Sequence, residues 1–224
     1  MNKTMKIVSL SGGKDSTAML LHMLELKYEI DQIIFFDSGW EFPQMYKHLD
    51  KLEKYINRPI TRLYPKRPFD VMLSKYGWPN HFVRWCTTYK VNTIKKLKPT
   101  VDYQGIAADE FHRIKKHKRK ASYPLIEWGW TEKMCLEYCY KKGFTWAGLY
   151  KYFKRVSCFC CPLKGIKDFR KLYNFFPDEW NELKAKDRKS PKDFKRHKKV
   201  IDLESEFCQL NKQLNIFSQN QFTT

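Results

Sequence analysis

Ser11-Gly12-Gly13-Lys14-Asp15-Ser16 constrains this chain more than any other stretch. A short apolar run, Ile7-Val8-Ser9-Leu10, precedes it, and Met19, Leu20, Met23, Leu24 and Leu26 follow at helical spacing. The order is strand, tight glycine turn, helix. Adjacent glycines let backbone N–H groups approach a ligand closely, while the helix start supplies a partial positive charge and Lys14 a full one. Such a turn suits a phosphate. It departs from the P-loop spelling, because Asp15 rather than Ser or Thr follows Gly-Lys and no earlier glycine stands at the required offset. A plain left-handed turn is the alternative that six residues alone leave open.

The same alternation continues. Residues 32–36 read as a buried strand ending in Asp37-Ser38-Gly39, and 42–56 as a helix with Met45, Leu49, Leu52 and Ile56 on one face. Strand 60–63, helices 69–76 and 87–97, and strand 101–106 follow, with Asp109-Glu110 past the carboxyl end of the last. Tyr123-Pro124-Leu125-Ile126 reads as a final strand. Beyond it come a helix opened by Thr131-Glu132 and running to Lys142, helices 167–176 and 178–185, and a third entered through Ser190-Pro191 as cap and first residue, with a frayed tail from Ser218. The pattern predicts an α/β fold, a doubly wound parallel sheet with a cysteine-rich segment and a helical C-terminal extension. The expected organisation is a nucleotide-binding domain over 1–130 and a cysteine-rich and helical region over 131–224.

In open parallel sheets, ligands sit beyond the carboxyl ends of strands. Lys14, Asp15, Asp37 and the pair Asp109-Glu110 are therefore expected on one edge, a minimum set for ATP with magnesium. Taken singly, each carboxylate is as readily a helix cap or a solvated loop residue.

Charge bears on partners. Against 24 acidic residues stand 43 Lys and Arg, a formal +19, which implies an anionic partner larger than a single nucleotide, with nucleic acid the natural candidate. Basic runs extend from Arg113 to Lys120 and from Lys184 to Lys199, and Trp128, Trp130 and Trp146 are available for base stacking. Solvated charged faces are the alternative. No apolar stretch approaches the ~20 residues that span a bilayer, so no membrane partner is expected. The N-terminus shows no signal region, and a cytoplasmic location follows as the expectation. There the seven cysteines would be reduced, and read as metal ligands or reactive thiols. Cys158-Phe159-Cys160-Cys161-Pro162 places three thiols in four residues, with Cys86 or Cys139 as candidate fourth ligand. A 4Fe–4S cluster suits one such knuckle with a scattered partner; zinc, or thiols without metal, stay open. Cys135 reads as core.

Several of these segments together carry a family resemblance. Ser-Gly-Gly-Lys-Asp-Ser after the first strand, 36–43 (Phe-Asp-Ser-Gly-Trp-Glu-Phe-Pro) after the second, Arg84-Trp85-Cys86-Thr87, 105–110 with Arg113, and 123–128 resemble the phosphoadenosine phosphosulfate reductase-like branch of the PP-loop ATP pyrophosphatases. The resemblance spans roughly residues 5 to 165. It implies an adenine nucleotide alpha hydrolase-like fold, phosphate contacts from Ser11, Gly12, Gly13, Lys14 and Ser16, and Gly105, Asp109 and Arg113 in the nucleotide site. It also implies attack on the α-phosphate of ATP with release of pyrophosphate, leaving an adenylated substrate for displacement by sulfur or ammonia. Lys14, Asp15 and Asp37 are the expected catalytic residues. The cysteine turn resembles that of cluster-bearing members, including the sulfur-inserting subunit of DNA phosphorothioation systems; the expected partners are an adenine nucleotide, a nucleic acid (tRNA or DNA), and a sulfur donor or partner protein. One departure counts against sulfonucleotide reduction: the Glu-Cys-Gly-(Leu/Ile)-His segment of true reductases is absent, and the late Cys208 stands in Glu206-Phe207-Cys208-Gln209. The expected function is thus an ATP-dependent adenylating enzyme. A reductase using Cys208, or a non-catalytic ATP- and DNA-binding module of a larger complex, are the alternatives.

Overall fold

The structure, a computed structural model, describes residues 4–114 and 121–220, the last six by backbone alone. The chain divides into two compact units, one made of Met1–Lys66 with Thr87–Cys158 and the other of Arg67–Cys86 with Phe159–Thr224.

The first unit is built on five parallel strands in the order β3-β2-β1-β4-β5. They are β1 Lys6–Leu10, β2 Gln32–Phe36, β3 Ile60–Leu63, β4 Val101–Gln104 and β5 Ala121–Ser122. Strand β1 is flanked on both sides, with Val8 opposite Ile33 of β2 and Tyr103 of β4. Its Ile7, Val8 and Leu10 are at most 1% exposed, as a strand covered on both faces requires. From β1 the chain builds outward through β2 and β3, then crosses to β4 on the other side of β1. That reversal leaves a crevice beyond the carboxyl ends of β1 and β4, where the connections need not cover the sheet edge.

Helix α1 (Lys14–Glu25) leaves the turn after β1 and is buried over Ser16–Leu21 and Met23. It is covered nearly all round because the sheet lies on one side and α6 (Glu132–Lys141) packs on it. Helix α2 (Pro43–Ile56) buries a single face, Met45, His48, Leu49 and Leu52, at the i, i+3, i+4, i+7 spacing of the sequence pattern. Each such aliphatic side chain, fully buried, contributes about 1.5–3 kcal/mol. A short α5 (Pro124–Glu127) and α7 (Leu149–Tyr152) complete this unit, with α4 (Trp85–Lys95) running into it.

The second unit holds α3 (Phe69–Tyr76), α8 (Ile166–Phe175), α9 (Pro177–Arg188) and α10 (Val200–Asn220) around Phe69, Met72, Phe169, Leu172, Trp180, Leu183, Phe194, Leu203 and Phe207. Among the described residues no helix is long and apolar enough to cross a membrane.

Two sequence expectations are corrected. Tyr123–Ile126 is not the last strand: β5 is Ala121–Ser122, and Pro124 starts a helix, since it has no N–H for a ladder and its fixed φ suits a first helical position. Ser190-Pro191 does not open the third C-terminal helix. The Ser190 hydroxyl donates to the Lys192 carbonyl at 2.8 Å and accepts from its N–H at 3.2 Å, closing a turn. The helix waits until Val200, whose N–H is captured by buried Asp187 at 2.8 Å. It runs to Asn220, through the first residues of the expected frayed tail, whose end at 221–224 lies outside the described residues.

Candidate nucleotide and cation site

Gly12 adopts φ +77°, and a Cβ there would stand 2.5 Å from Met45 Sδ. Its carbonyl accepts the Trp146 indole N–H at 2.8 Å. Gly13 is extended and heads α1 without a side-chain cap. Ser16 Oγ takes over part of that role, donating to the Gly13 carbonyl at 3.2 Å and accepting the Ser11 N–H at 3.1 Å, with the Ser11 hydroxyl 2.9 Å away. The Lys14 N–H donates to the Tyr150 hydroxyl at 2.7 Å. Tyr150 thus satisfies a first-turn donor that no other part of α1 can reach.

The Lys14 ammonium is 6% exposed and pairs with Glu132 at 2.7 Å and Asp15 at 3.4 Å, with the Tyr150 ring centroid 5.6 Å away. Burial alone would pull this lysine down, but Asp15 and Glu132 outweigh it and hold its pKa above the ordinary value. Glu110, 5% exposed, receives both Arg113 and Arg155. Oxygens of Asp15, Glu110 and Glu132 all lie within 4.8 Å of one another. Burial pushes the Asp15 carboxyl up to about 6; Glu132 and Glu110 add to this and Lys14 opposes it. One lysine shared by clustered carboxylates leaves Asp15 undercompensated, and its Oδ1 is buried with no hydrogen-bond partner among the described residues. The donors are hard oxygens, the type magnesium takes.

Topology explains the convergence. The turn after β1 and the segment after β4 meet at the strand-order reversal, and Gly105 is what lets them approach. A Cβ on it would fall 2.6 Å from Ser16 Cα and 2.7 Å from Ser16 N. Asp109 accepts the Glu132 N–H at 3.0 Å, while Thr131 caps α6 through the Met134 N–H at 3.3 Å, so the loop after β4 aims Glu132 at Lys14.

Other expected site residues stand elsewhere. Asp37 is engaged by the Gly39 N–H and the Tyr46 hydroxyl, each at 2.8 Å, and lies outside the carboxylate trio. Cys139 is fully buried and its thiol donates to the Lys14 carbonyl at 3.5 Å; burial pushes its pKa, like that of the equally buried Cys135, well up. Cys158 contacts Glu41 Oε1 at 3.3 Å and Ser38 Oγ at 3.5 Å. Cys86, Cys160 and Cys161 belong to the second unit, where Cys160 is buried and Lys195 Nζ clasps the Pro162 and, at 2.6 Å, Lys164 carbonyls beside them. No disulfide forms among the described residues.

Trp146 is not available for base stacking. It is 2% exposed, stacked on His48 at 4.3 Å and spent on Gly12. Trp128 and Trp130 are half-buried and pack on His22, each with ring centroids 4.7 Å from it. Of the first basic run, residues 115–120 lie outside the described residues. Glu132, Tyr150 and Arg155 are the site residues the sequence did not give, and Trp146, expected for stacking, holds the glycine turn instead. The one local signal was Thr131-Glu132 as a helix start, which placed Glu132 on a helix but not against Lys14.

A family model described as phosphoadenosine phosphosulfate reductase domain matches residues 6–164. Two uncharacterised proteins of Methanocaldococcus jannaschii are each 27% identical to the chain, over 201 and 195 residues. The matches cover 79% and 78% of this chain but 40% and 45% of those proteins, so the chain spans less than half the length of these curated relatives. Among solved structures, the phosphoadenylyl-sulfate reductase of Candida auris, in a phosphate complex, is similar with a TM-score of 0.50 and 17% identity, covering 65% of this chain and 77% of that one. That likeness is one of fold.

Proposed function

From the premise that the chain belongs to the phosphoadenosine phosphosulfate reductase domain family, we propose an ATP-dependent enzyme that adenylates its substrate and releases pyrophosphate. The observation that carries this reading is the convergence of Lys14 with Asp15, Glu110 and Glu132 at a glycine turn, with a buried carboxylate oxygen lacking a partner among the described residues. Gly12, Gly13 and the start of α1 offer backbone dipoles to phosphate oxygens. Asp15, Glu110 and Glu132 would hold magnesium, which when bound neutralises charge on the phosphates. Lys14, held beside Asp15 and Glu132, would place its ammonium at the charge of the leaving pyrophosphate. An acceptor oxygen attacks the α-phosphorus, the bond to the bridging oxygen breaks, and the growing negative charge meets Lys14 and the α1 terminus.

The acceptor in this reading is a nucleic acid, supported by the +19 charge, and the modification is a sulfur transfer in which sulfur displaces the adenylated oxygen and AMP leaves. The turn bearing Cys158, Cys160 and Cys161 offers three soft thiol donors, the chemistry that holds a 4Fe–4S cluster or zinc. With tRNA or DNA supplied as acceptor, the protein as purified should release pyrophosphate from ATP only with magnesium, and Lys14→Ala should abolish it. Release of orthophosphate alone overturns the α-phosphate chemistry. Iron and sulfide assays on anaerobically purified protein decide the metal, and colourless protein carrying only zinc overturns the cluster.

A further inference from the structure

We propose that Phe82 is a stacking platform for an unpaired base of a single-stranded nucleic acid; this rests on the nucleic-acid reading above. Phe82 is 98% exposed, while the other large apolar side chains of the second unit among the described residues are at most 57% exposed. A whole phenyl ring held in water forgoes its burial, and an occupant would restore it.

The loop that carries it is fixed. Asn80 Oδ1 accepts the N–H groups of Phe82 at 2.9 Å and Val83 at 2.8 Å, and the Asn80 N–H donates to the Val83 carbonyl at 3.1 Å. Trp78 and Trp85, 3% and 8% exposed, anchor the two ends. The Trp78 indole donates to Asp187 at 2.7 Å and its ring meets Phe194 at 4.8 Å, while the Trp85 indole donates to the Gly77 carbonyl at 3.1 Å and its ring meets Phe69 at 5.0 Å. A preset ring loses little entropy on binding.

The surroundings select the partner. Asn80, His81 and Arg84 flank Phe82 and Val83 in the sequence and are exposed, so polar and basic groups interrupt the apolar surface of Phe82 and the half-exposed Val83. A fully exposed, fixed ring on a chain of formal charge +19 matches a base flanked by phosphates, where stacking adds to counterion release.

Fluorescence anisotropy with a labelled oligouridine and its deoxy counterpart tests this on the full chain. Phe82→Ala should weaken binding roughly 5- to 100-fold, Phe82→Trp should retain it, and the salt slope should be the same in all three proteins, because stacking releases no counterions. A 2-aminopurine placed in the oligonucleotide should be quenched by wild type and not by Phe82→Ala. Equal response of both oligonucleotides locates recognition on the base face, and a ribose preference adds a 2′-hydroxyl contact; both support the platform. The ring is exposed, so the variants fold. Wild-type affinity in Phe82→Ala overturns the platform while leaving the nucleic-acid reading intact. Absence of salt-dependent binding by wild type overturns both.

Discussion

Each unit contains a lysine 6% exposed and paired with two carboxylates: Lys14 with Asp15 and Glu132, and Lys186 with Asp70 and Glu182. In both, burial pulls the ammonium down and the carboxylates carry it above its ordinary pKa. The pairs differ in what surrounds the acids. Asp70 and Glu182 are 43% and 50% exposed, so water shares their charge, and neighbouring Asp187 is satisfied by Trp78 and the Val200 N–H. Around Lys14 the acids are partly or wholly withdrawn from water, a third carboxylate joins them with its two arginines, and one Asp15 oxygen has no partner among the described residues. A buried lysine is thus no sign of a site; clustered, undersolvated carboxylates with an unsatisfied oxygen beside it are.

The largest expected effect separates the two lysines by activity. Lys14→Met should lower magnesium-dependent pyrophosphate release by about 10²–10³-fold or more, the scale of losing one charge-stabilising group. Lys186→Met should leave it unchanged within about twofold and cost about 1 kcal/mol of stability, because its half-exposed partners gain water. Equal losses of activity would erase the distinction. Next in size, Gly105→Ala drives a methyl into the Ser16 backbone and should cost about 1–3 kcal/mol in denaturant unfolding, with activity falling as the turn and the β4 segment separate. A neutral Gly105→Ala would mean the approach is loose.

A subtler prediction concerns Asp15. Its folded pKa, about 6, exceeds the ordinary aspartate value, so the folded state binds more protons between roughly pH 4 and 6 and stability falls as pH rises through that window. Asp15→Asn should therefore stabilise the protein at pH 7.5 by on the order of 1–2 kcal/mol, give no gain below pH 4, and abolish activity. Urea unfolding at the two pH values checks it. A loss of stability at pH 7.5 would show Asp15 to be a structural partner of Lys14, on the footing of Asp70 with Lys186.

Much of the fold was legible. Strands β2 and β3 and helix α3 begin and end where period and turn residues put them, since apolar runs and glycine or proline breaks act over a few residues. One of the two errors fell where side chains outcompeted propensity, with Ser190 folding onto Lys192 and Asp187 capturing the start of α10. Pro124 could have been read correctly from its missing N–H alone.

For the site, the sequence by itself determined the glycine turn, the lysine and Asp15 on it, and the arrival of acidic residues after β4, because these follow from local order along the chain. Only the tertiary structure decided which acids share Lys14. Glu132 lies 118 residues away, held there by Asp109 and by α6 packing on α1, and Tyr150 reaches the Lys14 N–H across 136 residues. Nothing local encodes such pairings. They arise from the strand order, which sets the ends of β1 and β4 side by side, and from a glycine small enough to let the two backbones meet.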